Sequence, residues 1–187
     1  MIEIKNISKS FDKKAILSDI SFTVNEGECV ALTGESGAGK TTLLRIIAGL
    51  ETADSGKIIC PGNKKRTFVF QENRLLENKS VLENILAVAD DKKRALYFLE
   101  KSGLLNDRDK KASALSGGMK RRLAIARALT FGGDIYFLDE PLRELDAESH
   151  KKMAELIKEE ISGKTAILIT HDRFSLEFLS DRQIKIG

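Results

Sequence analysis

Apolar positions change their spacing several times along the chain, and each change marks an element. Ile2-Glu3-Ile4 and Ile20-Ser21-Phe22-Thr23-Val24 alternate with polar residues at the two-residue period of a half-buried strand, and Ala15-Ile16-Leu17 is a short apolar run between them. Residues 1–24 therefore read as a small β region. After the turn Asn25-Glu26-Gly27, residues 28–33 read as a short buried strand, and Thr42-Leu43-Leu44-Arg45-Ile46-Ile47-Ala48 as a helix closed by Gly49. Asp54-Ser55-Gly56 reads as a turn, Lys57-Ile58-Ile59-Cys60 as a strand broken by Pro61-Gly62-Asn63, and Thr67-Phe68-Val69-Phe70 as a strand running into Gln71.

From Glu72 to about Gly132 the period becomes helical. Val81, Leu82, Ile85 and Leu86 form one stripe with Ser80 as N-cap, and Ala95, Leu96, Phe98 and Leu99 form another, ended by Gly103. A third helix starts at Ser116 and carries Leu123, Ile125 and Ala126. The strand–helix frame then resumes. Ile135-Tyr136-Phe137-Leu138 and Ala166-Ile167-Leu168-Ile169 are continuous apolar runs, as in parallel strands covered on both faces. Between them residues 147–161 read as a helix with Met153, Leu156, Ile157 and Ile161 on one face and a possible Glu148–Lys152 pair on the other. A short helix over 172–179 and a strand over 183–186 close the chain. The fold class is α/β in one domain: residues 1–71 and 133–187 form the core and residues 72–132 a helical insertion.

Bulk properties narrow this little. The 187 residues suffice for a full core, and 42% hydrophobic with 32% charged residues is ordinary for a globular protein. A net charge of +3 is too small to argue for nucleic acid. No apolar run has the length of a membrane span, and the charged, alternating N-terminus does not read as a signal peptide. Cys29 and Cys60 lie in strand-like stretches, have no metal-ligand spacing and read as small buried hydrophobes in a reducing compartment.

The candidate chemistry begins at Gly34-Glu35-Ser36-Gly37-Ala38-Gly39-Lys40-Thr41, of the form G-x-x-x-x-G-K-[ST], between a strand and a helix. The glycines let successive N–H groups converge on an anion, and the helix points its positive end at the same place. Lys40 adds a charge for the β- and γ-phosphates, and the Thr41 hydroxyl is suited to Mg²⁺. Three further strands end in Gln71, in Asp139-Glu140 and in His171. In a parallel sheet these carboxyl ends lie side by side, where open α/β folds place ligands. Asp139 has the position of a metal-holding carboxylate, and Glu140 that of a base for a water attacking the γ-phosphate, with Pro141 fixing its place. Ser116-Gly117-Gly118 begins a helix with uncovered N–H groups, a second anion site in the chain. The basic run Lys120-Arg121-Arg122 behind it reads as a solvated helix face.

These segments together resemble the ATP-binding-cassette (ABC) family of ATPases: a P-loop NTPase of ABC type, with a mainly parallel core, an N-terminal antiparallel β region and an inserted helical subdomain. The resemblance makes Gly34 to Thr41, with Thr42, the phosphate loop, Gln71 the glutamine loop, Leu115-Ser116-Gly117-Gly118-Met119 the family signature, and Asp139 and Glu140 the Walker B aspartate and catalytic glutamate. Asp146 in Leu145-Asp146 matches the D-loop, His171 the switch histidine, and Phe11 the aromatic that stacks on adenine. It implies Mg²⁺ with ATP as substrate, the metal near Thr41, Gln71 and Asp139, and catalysis by Glu140, His171, Lys40 and Gln71. It further implies a head-to-tail homodimer in which Ser116, Gly117 and Gly118 reach ATP on the other subunit, and transmembrane permease subunits as partners. Location follows as cytoplasmic, peripheral on the inner face of the cell membrane.

Val69-Phe70-Gln71-Glu72-Asn73-Arg74-Leu75-Leu76 is similar to the ATPases of nitrate, sulfonate and taurine importers. One departure stands out: the family carries small residues before its Leu-Asp, where this chain has Arg143 and Glu144. The chain is also expected to carry no regulatory domain after the His171 strand. A second reading, a soluble ABC ATPase acting on nucleic acid, the ribosome or cluster assembly, lacks the coiled coils or paired cassettes of such members, so no nucleic acid is expected. A third, a nucleotide-gated module without catalysis, sits poorly with Glu140 and His171 both present.

Overall fold

The computed structural model describes residues Met1–Gly187. The three short runs expected at the start are instead two long strands, β1 (Ile2–Phe11) and β2 (Lys14–Val24), in one antiparallel hairpin. They are joined by Asp12-Lys13, both left-handed at φ 47° and 66° as a two-residue hairpin turn requires. Asn6 and Asp19 are also left-handed, and Asn6 Nδ2 donates to Asp19 Oδ1 at 2.6 Å. The register shifts between Ile4 and Ile7 there, which breaks the two-residue period that would have revealed unbroken strands.

The chain continues through β3 (Cys29–Thr33), α1 (Lys40–Ala48), β4 (Ser55–Ile59) and β5 (Arg66–Val69). Ser55 and Gly56, expected as a turn, already belong to β4, and Cys60, expected to be buried in a strand, lies just past its end and is half-buried. Next come α2 (Val81–Leu86), α3 (Lys92–Lys101) and α4 (Gly117–Phe131), with two 3₁₀ turns between the last two. Ser80 caps α2 in a reciprocal box with Glu83, the Ser80 hydroxyl accepting from Glu83 N at 3.1 Å and the Glu83 carboxylate from Ser80 N at 2.7 Å. The core resumes with β6 (Ile135–Asp139), α5 (Ala147–Ile161), β7 (Thr165–Ile169), α6 (Arg173–Leu179) and β8 (Arg182–Lys185). Glu148 and Lys152 do not pair on α5; Glu160 of that helix instead pairs with Lys164 at 2.6 Å and with Arg94 of α3 at 2.7 Å.

Two sheets result. β2-β1-β4 is antiparallel, and β5-β6-β7-β3-β8 is parallel throughout. Residues of β3, β6 and β7 alternate strictly between two cores. Val30, Leu32, Ile135, Phe137, Ile167 and Ile169 pack toward α1 and the antiparallel sheet. Cys29, Ala31, Tyr136, Leu138, Ala166 and Leu168 pack toward α4, α5 and the helical segment. Burial on both faces is why these strands are apolar at every position. It also fixes the sheet rigidly enough that the carboxyl ends of β3, β5, β6 and β7 emerge along one edge.

Candidate active site

β3 delivers its loop through two glycines that no other residue replaces without strain. A Cβ on Gly34 (φ 140°) would overlap the Ile186 carbonyl oxygen, and one on Gly39 (φ 85°) would lie 2.8 Å from Ile16 and Leu17 side-chain carbons. Gly39 is the N-cap of α1, so the helix begins with bare N–H groups at Lys40 and beyond. Lys40 is buried, and its ammonium donates to the carbonyls of Gly34 at 2.8 Å and Glu35 at 2.7 Å, curling the loop around a positive charge.

A cleft of about 660 Å³ opens beside this loop. Ser36, Gly37, Gly39, Lys40, Thr41 and Thr42 form its phosphate side, and Gln71, Asp139, Glu140 and His171 the opposite wall. Gly34, Glu35 and Ala38 do not line it. Phe11, 45% exposed, and Ile16 close one end. Ile16 was not anticipated; it reaches the cleft because the hairpin folds over the Gly39 turn.

Thr41 Oγ1 donates to Asp139 Oδ1 at 3.3 Å, so two hard oxygen groups, one in the first turn of α1 and one at the end of β6, meet. No group of three His, Cys, Asp or Glu side chains forms a metal cage anywhere in the chain. An oxygen-only pair beside a phosphate loop fits Mg²⁺ shared with a polyphosphate. Burial pushes the Asp139 carboxyl above the ordinary range, opposed by the Thr41 hydrogen bond and the Arg45 charge.

Glu140 follows at φ 47°, a left-handed backbone for a non-glycine residue directly before proline. Its N–H donates to Ile169 O at 2.9 Å, and its carbonyl accepts from Arg121 at 2.6 Å, which holds the conformation. The Glu140 carboxylate lies 3.6 Å from His171 Nε2. Burial raises its pKa, the nearby His171 opposing the rise.

Arg121 is where the basic run departs from expectation. It is 2% exposed, and no part of it is a solvated face. Its guanidinium donates to the carbonyls of Phe70 at 2.7 Å, Gln71 at 3.1 Å, Asp139 at 3.3 Å, Glu140 at 2.6 Å and Pro141 at 2.7 Å. One side chain on α4 thus holds both loops that carry Gln71 and Glu140. Its neighbours are engaged too: Lys120 with Glu77 at 3.0 Å and Arg122 with Ser102 O at 2.8 Å. Burial lowers the Arg121 pKa to about 10, still charged at neutral pH.

Four expected residues stand apart from the cleft. Ser116 caps α4, accepting from Met119 N at 3.3 Å, and Gly117 and Gly118 follow on the surface. Asp146 caps α5, accepting from Ser149 N at 2.9 Å. None of them lines the cleft that Lys40 lines. A single chain therefore gathers the loop, the two carboxylates and the histidine, and leaves the α4 start facing elsewhere.

A family profile described as ABC transporter matches residues 17–143. The aliphatic sulfonates import ATP-binding protein SsuB 1 of Shouchella clausii is 39% identical over 186 residues, covering 97% of this chain and 75% of that protein. The spermidine/putrescine import ATP-binding protein PotA of Spiroplasma citri is 41% identical over 205 residues, covering 98% of this chain and 58% of that protein. Among solved structures, the dimeric ATP-binding cassette MJ0796 in a post-hydrolysis state bound to ADP and Pi superposes with a TM-score of 0.89 at 29% identity. That likeness covers 100% of this chain and 94% of the other.

Proposed function

Because this chain belongs to the ABC transporter family, we propose that it is the ATP-hydrolysing subunit of a membrane importer, built as a core with a helical subdomain over residues 72–132. The observation that carries the reading is the convergence, in one cleft, of a lysine-filled phosphate loop, the Thr41–Asp139 pair and the Glu140–His171 pair. The loop amides and Lys40 bind the polyphosphate and stabilise charge on the transferring phosphoryl group. Thr41, Asp139 and Gln71 would hold Mg²⁺, which when bound would supply charge neutralisation for the polyphosphate. Glu140 takes the proton of the attacking water, and a carboxyl whose pKa is raised by burial is a more effective base near neutral pH than an exposed one. His171, beside it, orients the water and the γ-phosphate. Phe11 stacks on adenine.

The partners are a second copy of the chain, whose Ser116, Gly117 and Gly118 complete the site, and permease subunits in the membrane. No helix here is long and apolar enough to cross a membrane. In this reading the permease supplies the path and holds the chain on the cytoplasmic face. Relatives at 39% and 41% identity are named for aliphatic sulfonates and for polyamines, so identity at this level does not sort cargo, which the membrane partner selects. Glu140→Gln is expected to bind ATP and to hydrolyse it at least about a hundredfold more slowly, the scale of a lost general base. Phosphate release at the wild-type rate by that variant would reject the role of Glu140.

A further inference from the structure

Arg143 is the one cationic side chain of the cleft, besides Lys40 and the titratable His171, and no role above uses it. Its backbone is fixed. Arg143 N donates to Glu140 O at 3.2 Å, closing a turn whose carbonyls at Glu140 and Pro141 are gripped by Arg121 and whose Leu142 is buried. Its side chain is free. It is 55% exposed, makes no hydrogen bond, and comes only within 3.6 Å of its equally exposed neighbour Glu144, a separation too long for a hydrogen bond and too solvated to hold it. A rigid base thus carries an uncommitted guanidinium at the Glu140 end of the cleft.

Charge balance says what that guanidinium meets. Lys40 and Arg143 offset Asp139 and Glu140 among the charged residues that line the cleft. With Asp139 engaged by Mg²⁺ in the reading above, Glu140 is the carboxylate left facing the most negative part of the nucleotide, and Arg143 is the cleft's remaining fixed positive charge beside it. The Lys40 loop receives the chain of phosphates, and its far end must point at Glu140 if Glu140 is to reach the attacking water.

We propose that Arg143 binds the terminal phosphate of ATP in its own chain, making this cleft selective for the triphosphate over the diphosphate. The planar fork of arginine suits phosphoryl oxygens, which a lysine would meet only as a point charge. The inference rests on the ATPase reading above and adds to it the residue that tells ATP from ADP.

The test is calorimetric titration of the full chain with ATP and with ADP, in a Glu140→Gln background where ATP is not consumed. Arg143→Ala is expected to weaken ATP about tenfold, the scale of one charge-assisted phosphate contact, and to leave ADP within about twofold. Arg143→Lys should recover part of the loss. Arg143 is exposed and its backbone bonds remain, so the variants should fold, and a matching thermal melt checks this. Equal losses for both nucleotides, or no loss for ATP, would overturn the inference while leaving the ATP site intact. A parent chain that binds neither nucleotide would overturn the inference and the ATPase reading together.

Discussion

Glu140 combines three costs at one position: a left-handed backbone, a following proline, and a carboxylate moved out of water. A non-glycine residue at φ 47° is disfavoured by about 1–2 kcal/mol, offset here by the Ile169 and Arg121 hydrogen bonds. The carboxylate is a separate matter, because burial raises the folded-state pKa above its unfolded value. The native state then holds the proton over a window where the unfolded chain has released it. Stability falls as pH rises through that window and stays lower above it. Glu140→Gln, which keeps the shape and removes the charge, should therefore melt higher than the wild type at pH 7 without nucleotide. The advantage should shrink as pH drops below the ordinary carboxylate range, and melts at pH 7 and pH 4 check it. The same substitution is expected to slow turnover at least about a hundredfold, so the site would be kept at the expense of the fold.

Arg121 does for α4 what no apolar contact could: it joins a helix to two loops that approach it from different strands. A lysine has three donors on one atom and cannot span carbonyls as far apart in sequence as Phe70 and Pro141. Arg121→Lys is expected to lose about 2–4 kcal/mol of unfolding free energy, from carbonyls left without partners around a buried charge, as measured by denaturant titration. This was also the least legible part of the sequence. The strands, the helix caps at Ser80 and Ser116, and the strand-end Gln71, Asp139, Glu140 and His171 were visible because period, cap chemistry and position after an apolar run are local signals. A basic run looks the same whether it faces water or carbonyl oxygens. The available clue was that Arg121 lies one turn before Ile125 and two before Ala128, on the buried face of α4 rather than opposite it. The length of the β1–β2 hairpin was hidden for a related reason: Asn6 and Asp19 adopt left-handed backbones and bond to each other where the register shifts, which interrupts the alternation inside otherwise continuous strands.

Ser116 and Gly117 are exposed at the α4 start, apart from the cleft that Lys40 lines, and a similar cassette is dimeric, so on the reading proposed above each chain would carry half of each of two sites. Glu140→Gln with Mg²⁺ and ATP should therefore double its mass from 20.7 kDa by light scattering, and Ser116→Arg added to it should return the mass to that of one chain. A single-chain mass for Glu140→Gln at tens of micromolar with saturating ATP would rule out closure by nucleotide alone. The Lys40 ammonium, resting on the Gly34 and Glu35 carbonyls, bears on the timing of these events. A phosphate that enters the loop exchanges partners with two carbonyls and orders no backbone. Capture of nucleotide by a lone chain should then proceed without a lag and with little change in heat capacity. A large negative heat-capacity change is expected of the encounter of two loaded chains instead, which would write the calorimetric signature of the cycle at the interface and not in the loop.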